Sequence, residues 1–225
     1  NGGKADPNAL YTVWGGASDL FAIQAGAPLV ATLTNAVRDQ VGIVGTLKAA
    51  GAEYIVVPTI PDVGLTPGAR AGGPAGMAAG TALAKAYNDA LFGGLKAAGL
   101  QVIPVDTFHI LQEIVANPGQ YGFVNVTSPA CTTASSLTCN PTSYATPDAA
   151  NSYVFADGVH PTPDTHQLLG EYTLSIPEAP RTQHTLTHSA QTIGPSRPDQ
   201  VSGHGDSRPA DGMSWEGYVR GARQR

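Results

Sequence analysis

Tyr54-Ile55-Val56-Val57-Pro58 is the stretch on which the fold turns. It is a short apolar run, rich in β-branched residues, with Gly51 before it and Pro58 closing it. Such a run lacks the polar alternation of a half-exposed strand, so it reads as a strand buried on both faces. Upstream, Leu29, Leu33, Val37, Val41, Val44 and Leu47 recur at helical spacing over residues 28–50, and Gly51 is placed as the stop. Before that helix, Ala9-Leu10-Tyr11-Thr12-Val13-Trp14 reads as another strand, ended by Gly15-Gly16. Downstream, residues 59–73 read as loop, and a helix covers residues 75–98 up to Gly99. Val102-Ile103-Pro104-Val105 is a third strand, with Asp106 or Thr107 as cap for a helix over 108–116. A long loop is expected from 117 to 152, and Thr162-Pro163 opens a last helix as N-cap and first helical residue. Strand and helix in alternation predict an α/β fold with a parallel sheet covered on both faces. Its active site belongs outside the carboxyl ends of the strands, at loops 15–20, 58–64 and 156–161.

The composition narrows the function classes. A formal net charge of -5, with no cluster of Lys and Arg, argues against a nucleic-acid partner. No apolar run is long enough for a membrane-spanning helix. Asn1-Gly2-Gly3-Lys4 does not open a signal peptide. A charged fraction of only 13% is common in exported proteins. Cys131 and Cys139 stand close together in a stretch rich in Ser and Thr. They are either a local disulfide in an oxidising compartment or two free thiols, and the loop setting favours the disulfide. No second Cys or His pair stands near them with metal-ligand spacing, so no metal is expected there.

The motif with the most chemistry is Asp157-Gly158-Val159-His160-Pro161. A general-base imidazole needs its second nitrogen held by a carboxylate, which fixes the tautomer and stabilises the imidazolium. Asp and His three apart in a turn can meet without help from distant chain. A bare D-x-x-H would more often be a polar loop; Gly158, Pro161 and the following N-cap raise it above that. The second motif, Gly15-Gly16-Ala17-Ser18-Asp19-Leu20, follows a strand. A glycine turn there brings backbone N–H groups close to a ligand, and Gly16 with Ser18 could serve an oxyanion. The bland alternative is a strand-to-helix turn capped by Asp19.

On these residues the chain resembles the GDSL, or SGNH, hydrolase family, and within it the passenger domain of autotransporter esterases. Asp157-Gly158-Val159-His160-Pro161 is similar to the family's last block, which supplies the catalytic Asp and His. Residues 11–20 resemble the block that usually reads Gly-x-Asn-Asp, and Tyr121-Gly122-Phe123-Val124-Asn125-Val126-Thr127 resembles a stretch common in these lipases. The resemblance covers residues 1–176. It implies a three-layer αβα sandwich with a parallel sheet, flavodoxin-like in arrangement, here N-terminally incomplete. It also implies a serine hydrolase acting on carboxylic ester bonds, an esterase or lipase, on a small-molecule or lipid ester and without a cofactor. The family's nucleophile block, Gly-Asp-Ser-Leu, is not among these 225 residues, so the nucleophile is expected upstream. The family's Asn is Ser18 here, and loss of one oxyanion donor can cost about 10²–10³ in turnover. That substitution motivates an alternative: a non-catalytic surface or adhesion module on a decayed hydrolase fold.

From Pro177 the composition turns polar. Residues 177–211 read as a linker. Residues 212–225 recover strand alternation around Trp215 and resemble the first strand of an autotransporter barrel, the one expected membrane association. This implies a secreted protein or one at the outer-membrane cell surface. Gly205-Asp206-Ser207-Arg208 spells part of the nucleophile block by chance, inside the linker and with no strand before it. The spacing of His184, His188 and His204 allows a metal site, but in a polar linker they read as solvated residues; His109 reads as a packing or surface residue, and His166 as a solvent-facing helix residue. Residues 58–62 either line an acyl pocket or form a turn.

Overall fold

The computed structural model describes residues 2–176. The chain divides into a unit of residues 1–169 and a second of residues 170–225. Of the second, the described residues 170–176 are helical. The expected linker over 177–211 and the expected strand over 212–225 lie outside the described residues, as do Ser207, His184, His188 and His204.

In the first unit the strands β1 (Leu10–Thr12), β2 (Tyr54–Pro58) and β3 (Ile103–Val105) form a parallel sheet in the order β1-β2-β3. Leu10 sits opposite Tyr54, and Val56 opposite Ile103. Ile55, Val56 and Val57 are fully buried, as a central strand covered on both faces must be. Helices α1 (Ala17–Gln24) and α2 (Leu29–Ala49) connect β1 to β2. Helices α3 (Pro67–Ala71) and α4 (Gly73–Ala97) connect β2 to β3. Parallel neighbours require such crossovers. Along α4 the buried residues Leu83, Ala84, Tyr87, Leu91 and Leu95 recur at helical spacing and join the core with Leu20, Val44, Ile55 and Val57. Helix α2 ends where Gly51 takes φ of 102°, with its N–H on the Lys48 carbonyl and the Ala52 N–H on the Leu47 carbonyl. These are the bonds of a Schellman stop, which glycine enters without a Cβ penalty.

After β3, helix α5 (Thr107–Ala116) starts from Asp106, whose side chain accepts from the His109 N–H. The stretch expected to be one long loop is instead structured. It holds β4 (Asn125–Pro129), short 3₁₀ turns and α6 (Ala149–Ser152), and leads into β5 (Tyr153–Phe155). β4 and β5 pair in parallel as a separate two-stranded sheet with an irregular register. The sequence hid β4 because Asn125-Val126-Thr127-Ser128-Pro129 carries one apolar side chain and no residue classed as buried, so no periodicity shows. In residues 15–20, expected as loop, α1 instead begins at Ala17, with Gly16 at its N-cap and Asp19 in its first turn rather than capping it. Likewise residues 59–73 contain a 3₁₀ turn and α3, started by Thr66 and Pro67. Residues 163–169 are helical, as the Thr162-Pro163 signal predicts.

Gly16 fixes how β1 passes into α1. Its φ is 99°, and a Cβ there would stand 2.3 Å from Cζ of Tyr87. Tyr87 cannot retreat, because it is fully buried and its hydroxyl donates to Oε1 of Gln40 at 2.5 Å. Gln40 in turn donates to the Val13 carbonyl at 3.3 Å. Burial, with Asp19 nearby, pushes the Tyr87 phenol up to about 12, so it stays a donor across the physiological range. Gly16→Ala should therefore lower the unfolding free energy by about 2–4 kcal/mol, from backbone strain plus overpacking. Urea denaturation checks this, and a loss below about 0.5 kcal/mol would contradict the packing described.

Candidate active site

The motif Asp157 to Pro161 forms a closed turn at the exit of β5. The Ala156 N–H donates to the His160 carbonyl at 2.7 Å, and Phe155 bridges to Pro161. Inside this turn, Oδ1 of Asp157 accepts from the Val159 N–H at 3.0 Å and the His160 N–H at 2.8 Å. The His160 Nδ1 lies 2.9 Å from both carboxylate oxygens. The Ser136 N–H reaches Oδ2 from the neighbouring loop at 2.7 Å. Burial by itself pushes the Asp157 carboxyl upward, but the N–H groups of His160, Val159 and Ser136 and the His160 ring outweigh it. They hold the carboxyl well below the usual carboxylate range. The result is an acceptor that stays ionised at neutral pH and orders the imidazole. The Asp157 side chain is 5% exposed and that of His160 62%, so the imidazole is anchored on one side and open on the other. Among the described residues, Asp157 is the one side-chain partner of the His160 ring.

His160 lines a cavity of about 250 Å³. Its walls come from the ends of the strands and the helices after them. Trp14 follows β1, Phe21 is on α1, Ile60 follows β2, Leu111 is on α5, and Phe155 ends β5. The wall is largely apolar, with Ser18, Thr66, Thr107 and His160 among its polar members. The ends of the strands are tied together beneath it. The Trp14 Nε1–H donates to the Thr59 carbonyl at 3.1 Å, and the Thr107 hydroxyl donates to the same carbonyl. The Phe108 N–H donates to the Thr59 hydroxyl at 3.0 Å. Asp62, also buried, joins the β2 exit to α4 and α5. It accepts from Thr81 and from Gln112, each at 2.7 Å.

The structure thus brings Ser18, Ile60, Pro61 and His160 to one cavity. Gly16 does not line it; that glycine faces Tyr87 instead. His166, exposed as a solvent-facing residue would be, lines the cavity as well, and its Nδ1 lies 3.0 Å from the Thr162 carbonyl. His109 stands apart from the cavity, exposed and 2.6 Å from Asp106. Cys131 and Cys139 form a disulfide.

A sequence profile of the GDSL-like lipases and acylhydrolases matches residues 1–173. The chain belongs to the GDSL lipase/acylhydrolase family. Among curated relatives, it is 34% identical to esterase EstA of Pseudomonas aeruginosa over 98% of this chain and 35% of that protein. It is 27% identical to lipase 1 of Photorhabdus luminescens over 83% of this chain and 39% of that protein. It is 34% identical to the GDSL esterase/lipase APG of Arabidopsis thaliana over 41% of this chain and 24% of that protein. The chain therefore spans about a third of the length of the bacterial relatives it matches. The parallel sheet flanked by helices fits the α/β sandwich of this GDSL family.

Gly68, on the helix that Thr66 opens, holds the Asp-His turn from outside and was not foreseen from the sequence. Thr66 caps α3, and the Gly68 N–H donates to the Gly158 carbonyl at 2.8 Å. The signal was present, since Thr66-Pro67 is the same helix opening as Thr162-Pro163. The Ser136 N–H had no signal, because any residue but proline offers that donor.

Asp157 also makes stability depend on pH. Its folded carboxyl titrates below the unfolded value of about 4. The stabilisation is fully present above pH 4 and is lost as pH falls toward the folded value. Asp157→Asn should be destabilised relative to the parent at pH 7, and the gap should shrink steadily below pH 4. Urea unfolding of both proteins across that range checks this; a gap independent of pH would contradict it.

Proposed function

We propose that the protein containing this chain hydrolyses carboxylic esters through a serine nucleophile that His160 and Asp157 activate. The observation that carries the reading is the buried, ionised Asp157 holding the open imidazole of His160 at the wall of an apolar cavity. The serine lies in a segment outside the described residues, a reading supported by the greater length of the relatives. Its Oγ attacks the acyl carbonyl while His160 takes the proton; His160 returns that proton to the departing alcohol. Water, deprotonated by the same imidazole, then releases the acid and restores the serine. Asp157 keeps the proton on Nδ1 and stabilises the imidazolium. Ser18, on the first turn of α1 and in the same cavity, donates its hydroxyl to the developing oxyanion. The relatives' names, esterase and lipase, support the same reading.

The cavity suits the acyl chain. Its volume of about 250 Å³ is near the lower end of the roughly 300–1,000 Å³ of small-molecule sites. We also propose export to the cell surface or beyond, which the disulfide supports. No helix of the described residues is long and apolar enough to cross a membrane.

In the complete protein, His160→Ala should lower kcat for a p-nitrophenyl ester by at least about 10³ with an unchanged melting temperature. Full retained turnover would contradict that role of His160, whereas absent turnover in the parent would favour the non-catalytic surface module. Across straight-chain esters, kcat/KM should rise about fourfold per added methylene until the cavity fills, from about 0.8 kcal/mol per buried CH₂. Leu111→Trp should move the plateau to a shorter chain, and an unmoved plateau would place the acyl group elsewhere.

A further inference from the structure

We infer that the disulfide-closed loop Cys131–Cys139 is a positioning element of the proposed active site, acting through one backbone donor, the N–H of Ser136. The inference rests on the reading of Asp157 and His160 as the acid-base pair. The Asp157 carboxylate accepts from two sources. The Val159 N–H, the His160 N–H and the His160 ring come from its own turn. The Ser136 N–H, at 2.7 Å from Oδ2, comes from elsewhere in the chain. Oδ2 is also 2.9 Å from Nδ1 of His160. The two backbone donors of the turn both meet Oδ1, and within the turn only the imidazole reaches Oδ2. The Ser136 N–H fixes Oδ2 and so sets the plane in which the imidazole is held.

Outside its own turn, the loop that supplies this donor is tied down near its start, where the Thr132 N–H and hydroxyl donate to the Ser143 carbonyl at 2.8 and 2.9 Å. Leu137 is 93% exposed, and no residue between Cys131 and Cys139 is classed as buried. Ser135 caps a short 3₁₀ turn over Ser136–Thr138. Both ends are anchored by the disulfide, and Cys131 is registered against the approach to Asp157, its N–H donating to the Ala156 carbonyl at 2.9 Å. The cross-link removes loop freedom that the Ser136 N–H would otherwise need to lose each time it met the carboxylate. A charge-assisted bond of this kind is among the stronger ones.

The site allows a clean test, because the donor can be removed without touching a side chain that matters. Ser135 has φ of -132° and ψ of 138°, the backbone region a residue before proline prefers. Ser136 begins the 3₁₀ turn, where the φ of proline fits. Ser136→Pro therefore deletes the N–H in an accommodating backbone, whereas Ser136→Ala keeps it. In the complete protein, Ser136→Pro should lower kcat about tenfold with KM within about twofold of the parent. Ser136→Ala should match the parent. The double variant Cys131→Ser/Cys139→Ser should behave like Ser136→Pro. Parent-like kcat in Ser136→Pro would overturn the inference, and so would equal losses in the Ala and Pro variants. A kcat loss that appears only with a lowered melting temperature would reduce the loop to a structural role and overturn it as well. The parent and His160→Ala, assayed alongside, report on the underlying reading. Absent turnover in the parent, or full turnover in His160→Ala, would fell that reading irrespective of Ser136.

Discussion

The arrangement depends on one buried carboxylate. Asp157 sits almost wholly out of solvent at the end of β5, and a charge there is costly unless it is met by donors. It is met by three backbone N–H groups and one imidazole. Together these donors tie three pieces of the molecule to it: the turn that carries His160, the ring itself, and the disulfide loop. Burial argues for a neutral acid and the donors argue for an anion, and the donors win. Had burial won, the imidazole would face a neutral partner and would lack the charge that stabilises its protonated form.

The sheet places this turn against a usable cavity. The exits of β1, β2 and β3 converge on the Thr59 carbonyl, where Trp14 and Thr107 both donate. That knot holds Trp14 and Ile60 as adjoining walls, and α5 adds Leu111 and Ile114. The lining is mostly apolar, with the exposed His160 among its polar members, a division that under the proposed function would point an ester's carbonyl toward His160. The Asp62 bonds to Thr81 and Gln112 brace the same wall from behind, and no part of them faces the cavity.

The long elements were legible because their signals are local. The run Tyr54 to Val57 announced a strand buried on both faces, and the helical spacing with Gly51 as stop announced α2. Asp157 and His160 were legible because three residues of separation and a glycine make their meeting a property of one turn. The elements that escaped are those held by distant partners. β4 carries almost no apolar side chain and exists through its pairing with β5. The Ser136 donor comes from a backbone group with no residue signature, and the cavity walls join positions from Trp14 to Leu169. Gly16 was legible as a turn, but its reason, the buried ring of Tyr87, is a tertiary one.

The central claim is that His160 and Asp157 activate a serine that these described residues do not include. A fluorophosphonate probe tests it most directly, applied to the complete protein and to its His160→Ala variant, with the adduct mapped by mass spectrometry. The account predicts one adduct in the parent, on a serine outside residues 2–176, and labelling that is greatly slowed in the variant. An adduct on Ser18 or another serine of the described residues, or equal labelling of both proteins, would contradict it.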